Sequence, residues 1–252
     1  MRKSMYFLLL LGLAQQPLRA DQLEKQDVLV SAAASLKEVM LYSAPIFERQ
    51  NPGSRLLFNF GSSGQLKSQI QSGAPADVFI SAAAADMDAI ERSSLTVAGT
   101  RRSVAGNSIV LIKNSLSKVE IRRTSDLVSP EVTRIAIGNP ATVPAGRYAR
   151  QVLEKRGLYD KLSGKLVLAE NVRQVLDYVA RGEVDAGFVF LTDAKVEPKA
   201  LVVEHIPDAG HAPIVYPAAA LRDGKNISGA KKFLGFLLSK EGKAAFRRYG
   251  FK

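Results

Sequence analysis

The sequence predicts an α/β fold with mainly parallel sheets covered by helices on both faces. Short apolar runs alternate with amphipathic helical periods from residue 28 to residue 248, which is typical of successive βαβ units. Apolar residues make up 46% of the 252 residues and charged residues 23%, a globular balance that argues against a disordered or polytopic membrane protein. Cysteine is absent and only two histidines occur, which excludes disulfides, thiolate chemistry and a histidine-rich metal site.

The N-terminus predicts a secretory signal peptide. Arg2 and Lys3 precede an apolar run at 6–14, and a polar stretch then leads to Leu18-Arg19-Ala20. The run is less than half as long as a membrane span needs. We therefore assign residues 1–20 to the signal peptide, with cleavage after Ala20, and expect the mature protein in the periplasm. Removal of the signal peptide lowers the formal net charge from +11 to +8 because Arg2, Lys3 and Arg19 are lost.

Elements in the first half of the chain follow from apolar spacing and from turn residues. A strand at 28–30 leads into a helix that Asn51-Pro52-Gly53 ends. That helix is predicted by apolar residues that recur on one face, namely Leu36, Val39, Met40, Ala44 and Phe47. Strands are then predicted at 55–60 and 77–81, and helices at 65–71 and 83–92.

The second half repeats this alternation after Gly106-Asn107. Strands are predicted at 108–113, 134–137, 165–168, 185–190, 201–206 and 214–221. Helices are predicted near Asp126 and at 146–156, 172–181, 229–238 and 242–248. Two irregular stretches, at 104–107 and 208–213, predict crossings between two lobes. Lobe one then comprises 21–105 plus 214–252, and lobe two comprises 106–213.

The loops between strands and helices hold the candidate site residues. Helix N-termini carry unsatisfied N–H groups and partial positive charge, so they bind anions, and in parallel sheets they lie beside the carboxyl ends of the strands. A serine before a helix is by itself usually a plain cap, and the combination of four such loops is what indicates a site. The four are Ser31-Ala-Ala-Ala-Ser35 with Ser35 as the predicted cap, Gly61-Ser-Ser-Gly64, Val143-Pro-Ala-Gly146, and Asn171 as the cap before Val172.

These loops belong to a series of segments that together resemble a known family. The segments that carry it are Ala32-Ala-Ala-Ser35-Leu36, Phe60-Gly-Ser-Ser-Gly64, Gly73-Ala-Pro-Ala-Asp77-Val-Phe-Ile-Ser81-Ala82, Gly106-Asn107-Ser108, Val143-Pro-Ala-Gly146, Ala169-Glu-Asn-Val172-Arg173 and Arg248-Tyr-Gly-Phe251. Their order resembles that of the periplasmic molybdate-binding proteins of ABC transporters, over nearly all of 27–252. The resemblance implies a two-lobed type II periplasmic binding protein with each lobe a mainly parallel sheet flanked by helices and the ligand in the interlobe cleft.

The resemblance also implies a set of ligand contacts. Ser35 and Ser63 each give a hydroxyl and a backbone N–H to a tetrahedral oxyanion, and Ala145 and Val172 give backbone N–H groups. Phe190 stands where the family often has a tyrosine, so its ring packs but donates no hydrogen bond. The implied ligand is molybdate, which holds molybdenum as an oxyanion, or tungstate, with no cofactor and no reaction catalysed. The implied partner is an ABC permease in the inner membrane, and the protein is expected to be a monomer that binds no nucleic acid.

The chemistry of these residues fits a fully deprotonated anion. Oriented N–H groups and hydroxyls hold a dianion without an opposed full charge. A site of donors alone rejects phosphate, which at neutral pH carries a proton that needs an acceptor. Sulfate is a full dianion too, so a sulfate binder is the first alternative.

Three further alternatives are weaker. A secreted serine hydrolase would pair Ser35 or Ser63 with His205 or His211, but the sequence has no G-x-S-x-G motif. A metal-cation binder lacks the ligands. A polyanion-binding module would use dispersed basic doublets that are not interleaved with aromatic residues, namely Arg101-Arg102, Arg122-Arg123, Lys231-Lys232 and Arg247-Arg248.

Overall fold

The computed structural model describes residues 26–252, so the predicted signal peptide at 1–20 lies outside the described residues. In this part of the chain the strands form two five-stranded sheets. Sheet one contains β1 (Gln26–Ala33), β2 (Ser54–Gly61), β3 (Val78–Ile80), β4 (Arg102–Gly106) and β10 (Val215–Ala220), and sheet two contains β5 (Ile109–Asn114), β6 (Ile135–Gly138), β7 (Leu166–Ala169), β8 (Ala186–Phe190) and β9 (Ala200–His205). The strand orders are β2-β1-β3-β10-β4 and β7-β6-β8-β5-β9.

Both sheets have the same pattern of strand directions. In sheet one, β1 pairs parallel with β2 and β3, while β10 pairs antiparallel with β3 and β4. In sheet two, β6 pairs parallel with β7 and β8, while β5 pairs antiparallel with β8 and β9. Among the described strands, four of each sheet therefore run in one direction and one runs against them. The predicted α/β fold is confirmed, and the single reversed strand makes each sheet mixed.

Helices follow most of the parallel strands. Their bounds are α1 (Lys37–Gln50), α2 (Ser63–Gln71), α3 (Ala84–Arg92), α4 (Pro144–Lys155), α5 (Tyr159–Leu162), α6 (Val172–Ala180), α7 (Leu191–Ala194), α8 (Ile227–Leu238) and α9 (Lys240–Arg248). The one-turn helices α5 and α7 were not expected from the sequence, because four residues are too few to show a helical period. Between residues 26 and 252, no helix has both the length and the apolar character needed to cross a membrane.

Sheet one is covered on both faces, as alternating side chains require. Phe79 of β3 and its register partner Ala219 of β10 pack with Leu66 of α2 and Met87 of α3. The neighbouring residues on these strands belong to the large core on the other face, where α1 and α8 contribute. The strands of the sheet are therefore held in place between two layers of helices.

From residue 26 onwards the chain crosses between the sheets twice, and the first crossing is shorter than predicted. The sequence indicated irregular structure at 104–107, but β4 extends to Gly106 and pairs with β10. Its partner lies more than a hundred residues further along the chain, so local sequence does not reveal the pairing. The first crossing is therefore confined to Asn107 and Ser108. It lies beside the second crossing, because the Asn107 N–H donates to the Ile214 carbonyl over 3.4 Å.

Candidate functional site

The candidate loops lie at the carboxyl ends of parallel strands. In sheet one they follow β1 and β2, whose final residues Ala33 and Gly61 are register partners. In sheet two they follow β6 and β7, where Gly138 and Ala169 are partners. Adjacent strands that end at the same level bring two helix N-termini of each sheet side by side, which is where open α/β sheets bind ligands.

A small pocket lies between the loops of the two sheets. It contains about 210 Å³ of space, with the open solvent at its mouth included. All five residues predicted for the site line this pocket, and none of its described lining residues carries a charge. The lining residues are Ala33, Ala34, Ser35, Gly61, Ser62, Ser63, Ala82, Val143, Pro144, Ala145, Asn171, Val172 and Phe190.

Ser35 is placed differently from its predicted role as a helix cap. It lies inside a short 3-10 turn, Ala34–Leu36, and Leu36 is the residue that precedes α1. Its hydroxyl makes no cap hydrogen bond and instead lies 3.0 Å from the hydroxyl of Tyr216. The prediction of a cap was wrong because a tertiary partner competes for the side chain, although the residue is buried at the pocket as expected.

The hydroxyls of Ser62 and Ser63 accept different hydrogen bonds. Ser62 caps α2, since its hydroxyl oxygen accepts from the Gln65 N–H over 3.4 Å. Ser63 is the first residue of α2, and its buried hydroxyl oxygen accepts from the Ala82 N–H over 2.9 Å. The Ser63 proton remains available to a group in the pocket.

The sheet-two wall consists of two helix N-termini. Helix α4 begins at Pro144, and its first turn is pressed against the end of β6: a Cβ on Gly146 would lie 1.7 Å from the Gly138 carbonyl oxygen. The Asn171 side chain caps α6 by accepting from the N–H groups of Arg173 and Gln174 over 3.0 and 3.1 Å, as predicted for this residue. Ala145 and Val172 therefore lie in first helical turns, where backbone N–H groups have no intrahelical partner.

Phe190 closes the pocket with an aromatic ring. It is fully buried, and its centroid lies 6.3 Å from that of Tyr148 and 5.9 Å from that of Tyr216. Burial raises the pKa of Tyr148 to about 12 and raises the pKa of Tyr216 further still. Both phenols therefore stay protonated at physiological pH.

Sequence reasoning missed the polar network behind Ser35. Tyr216 is fully buried on β10, and Asn107 of the first crossing donates from Nδ2 to the Tyr216 hydroxyl over 3.1 Å and to the Thr192 hydroxyl over 2.9 Å. A tyrosine in an otherwise apolar strand was the available signal, because a buried phenol normally has a hydrogen-bond partner. Nothing local identifies that partner as Ser35, 181 positions away.

Beside the pocket, polar contacts join the two sheets and their helices. The Gly64 N–H donates to the Thr142 carbonyl over 2.9 Å. Arg147, two residues after Ala145, forms an ion pair with Asp86 of α3, a buried carboxylate that also lies 3.3 Å from Lys67.

Arg173 forms the corresponding bridge on the other side of the pocket. It follows Val172 directly, and its Nη1 donates to Glu38 of α1 over 3.0 Å. Its Nε lies 2.7 Å from Oδ1 of the buried Asp193. Burial raises the pKa of Asp193 to about 6, while the positive charge of Arg173 acts in the opposite direction. The Arg173 guanidinium therefore has one acidic partner on helix α1, which packs on sheet one, and one on helix α7, which follows β8 of sheet two.

Two of the alternatives, the serine hydrolase and the metal-cation binder, find no support in the described residues. His205 lies at the exposed end of β9, and the His211 ring is 2.7 Å from the Ala212 carbonyl, so neither histidine bonds to Ser35 or Ser63. Within residues 26–252, no group of three acidic or histidine side chains is placed to hold a metal ion.

Comparisons with known proteins give matches over most of the chain. The family profile of the bacterial extracellular solute-binding proteins matches residues 28–252. The molybdate-binding protein ModA of Escherichia coli is 37% identical over 234 residues, 90% of each chain, and that of Haemophilus influenzae is 36% identical over 227 residues, 89% of each chain. The solved periplasmic molybdate-binding protein of Azotobacter vinelandii superposes with a TM-score of 0.81 at 27% identity, over 89% of this chain and 98% of that one.

Proposed function

The chain belongs to the bacterial extracellular solute-binding proteins, and from this premise we propose that it captures molybdate, and also tungstate, for delivery to an ABC permease. It is a binding protein and not an enzyme. We further propose that it acts as a monomer in the periplasm after residues 1–20 are removed. The names of its molybdate-binding relatives support the choice of ligand.

The convergence of donors on one uncharged pocket carries this proposal. The hydroxyls of Ser35 and Ser63 and the helix N-termini at Ala145 and Val172 border the same small space. Buried N–H and O–H groups stabilise a dianion by charge-assisted hydrogen bonds, and the helix dipoles add to this. A phosphate proton finds no carboxylate acceptor among the described lining residues, which supports a ligand that carries no proton.

The proposed mechanism is closure of two lobes around the anion. Lobe one, 21–105 plus 214–252, supplies Ser35 and Ser63, and lobe two, 106–213, supplies Ala145 and Val172. An anion that contacts both lobes has a higher affinity for the closed than for the open arrangement, so it shifts the balance towards closure. The neighbouring crossings at Asn107 and Ile214 are the proposed hinge.

Substitution of the two serines tests this assignment. We expect Ser35→Ala and Ser63→Ala each to weaken molybdate binding at least tenfold, because a hydrogen bond to a charged group contributes about 1.5–3 kcal/mol. Isothermal titration calorimetry of the mature protein with molybdate, tungstate, sulfate and phosphate measures both affinity and ligand choice.

Ser43→Ala is the matched control. Ser43 is a buried serine of α1 whose hydroxyl has no hydrogen-bond partner among the described residues, so its loss should leave binding unchanged. A heat signal with sulfate alone, or with none of the four anions, would overturn the proposed ligand. Unchanged molybdate affinity in both Ser35→Ala and Ser63→Ala would overturn the site assignment.

A further inference from the structure

The hydrogen bonds behind Ser35 have a fixed direction, and Asn107 sets it. Its Oδ1 accepts from the Ser108 N–H over 2.9 Å, so its Nδ2 is the group that faces Tyr216 and Thr192. An amide nitrogen only donates. The Tyr216 hydroxyl oxygen therefore accepts from Asn107.

Tyr216 must in turn give its own proton to Ser35. The phenol is fully buried, and an unpaired O–H in such a place is unfavourable. Of the two polar groups bonded to it in the described residues, Asn107 Nδ2 cannot accept, so the acceptor is the Ser35 hydroxyl oxygen at 3.0 Å. With this acceptor site filled, the Ser35 proton is free to point towards the pocket that Ser35 lines.

We propose that Tyr216 is a positioning residue that holds Ser35 as a hydrogen-bond donor to the bound anion, through the relay Asn107 to Tyr216 to Ser35. The proposal rests on the proposed function, since it assigns selectivity to the same pocket. Tyr216 does not line the pocket itself. It acts by deciding which way the Ser35 hydroxyl points.

Ser63 has an equivalent arrangement on the neighbouring loop. Its hydroxyl oxygen accepts from the Ala82 N–H, so its proton is likewise free for the pocket. Each serine hydroxyl then accepts one hydrogen bond from the protein and directs its proton towards the pocket. Hydrogen phosphate then meets two hydroxyls oriented as donors, an arrangement that favours a fully deprotonated anion over one that must place its own proton.

Tyr216→Phe separates the relay from the packing, because it keeps the ring against Phe190 and Phe251 and removes only the hydroxyl. In the variant, the Ser35 hydroxyl is free to rotate and to accept a hydrogen bond from the ligand. We expect molybdate affinity to fall about tenfold, and the ratio of the phosphate to the molybdate dissociation constant to fall as well. Calorimetry at pH 7 with both anions measures the two quantities.

A double-mutant cycle with Ser35→Ala distinguishes the relay from a structural effect. If Tyr216 acts through Ser35, then Tyr216→Phe causes no further loss of affinity in the Ser35→Ala protein. Tyr148→Phe is the control, because Tyr148 is also buried against Phe190. Among the described residues its hydroxyl reaches only the carbonyls of Ala82 and Pro213, each at 3.5 Å, so its loss should leave both affinities unchanged.

The outcomes separate this inference from the proposed function. A wild-type protein that binds no tetrahedral oxyanion contradicts the proposed function itself. If the wild-type protein binds molybdate, two results overturn the relay alone. One is that Tyr216→Phe binds molybdate equally well, and the other is that its effect adds fully to that of Ser35→Ala. The relay is supported if Tyr216→Phe lowers molybdate affinity and phosphate rejection in the wild-type protein but changes neither of them in the Ser35→Ala protein.

Discussion

Phe190 places an aromatic ring without a hydrogen-bonding group in the wall of an otherwise donor-rich pocket. We expect Phe190→Tyr to tighten molybdate binding by about tenfold, because one added hydrogen bond to a charged ligand contributes about 1.5–3 kcal/mol and some of this is lost in repacking a buried ring. Calorimetry measures the affinity, and the thermal midpoint of the ligand-free protein reports the cost of repacking. If that midpoint is unchanged and the affinity does not rise, the ring edge of residue 190 does not face the anion.

At the scale of residues, the sequence predicted the site residues that lie close to the N-terminus of a helix. Ser35, Ser63, Ala145 and Val172 lie at strand-to-helix junctions that local spacing reveals, and they line one pocket. Tyr216 was not predictable because its role depends on contact with Ser35, a pairing that no local pattern encodes. The same competition explains why Ser35 does not cap α1: its hydroxyl bonds to Tyr216 and not to a backbone N–H.

At the scale of elements, the start of α2 faces the turn before α4. A Cβ on Gly64 would lie 2.5 Å from the Thr142 carbonyl oxygen and 2.7 Å from its Cα, closer than such atoms approach. Gly64→Ala should therefore obstruct closure and weaken molybdate binding more than tenfold. It should leave the ligand-free protein equally stable or slightly more so, because alanine favours a helix by up to about 1 kcal/mol over glycine. Calorimetry and thermal unfolding without ligand check the two expectations.

Gly235→Ala is the matched control for Gly64→Ala. Gly235 is an exposed glycine inside α8, and a Cβ there meets nothing within 4 Å. It should gain stability without any change in molybdate affinity. Equal affinities for Gly64→Ala and the wild-type protein would show that binding does not require this contact between α2 and the turn at Thr142.

Sequence prediction of the elements was limited by pairing over long distances. The strands and the longer helices follow from apolar periods, and the helix starts at Pro144 and Val172 follow from Pro144 and from the Asn171 cap. Strand β4 was missed because its pairing with β10 depends on residues at the other end of the chain. The direction of β10 and β5 was likewise open, since a short apolar run is the same in both orientations.

At the scale of the whole molecule, the positive charge has a role beside the pocket and not inside it. The formal net charge of the full chain is +11, yet the described lining of the pocket is uncharged. Arg147 and Arg173 instead link helices of sheet two to carboxylates of sheet one, on either side of the bound anion's proposed position. We expect charges placed in this way to stabilise the proposed closed arrangement without competing for the ligand.

Arg147→Met tests whether these ion pairs set the affinity by favouring closure. Asp86 is buried and Arg147 half-buried, so the strength of the pair should be intermediate between that of an exposed and that of a buried ion pair. We expect its loss to destabilise the closed arrangement by about 1–2 kcal/mol, which lowers molybdate affinity about 5- to 30-fold.

The control is Arg150→Met, one turn further along α4, where the arginine pairs with Glu154 of the same helix over 2.7 Å and does not connect the two lobes. Calorimetry gives the affinities, and small-angle scattering compares the radius of gyration without ligand and at saturation. Because Arg147 lies outside the pocket lining, its loss should raise the ligand-free radius while the saturated radius stays at the wild-type value. Equal weakening by the two substitutions would mean that net charge, and not the bridge between the lobes, controls binding.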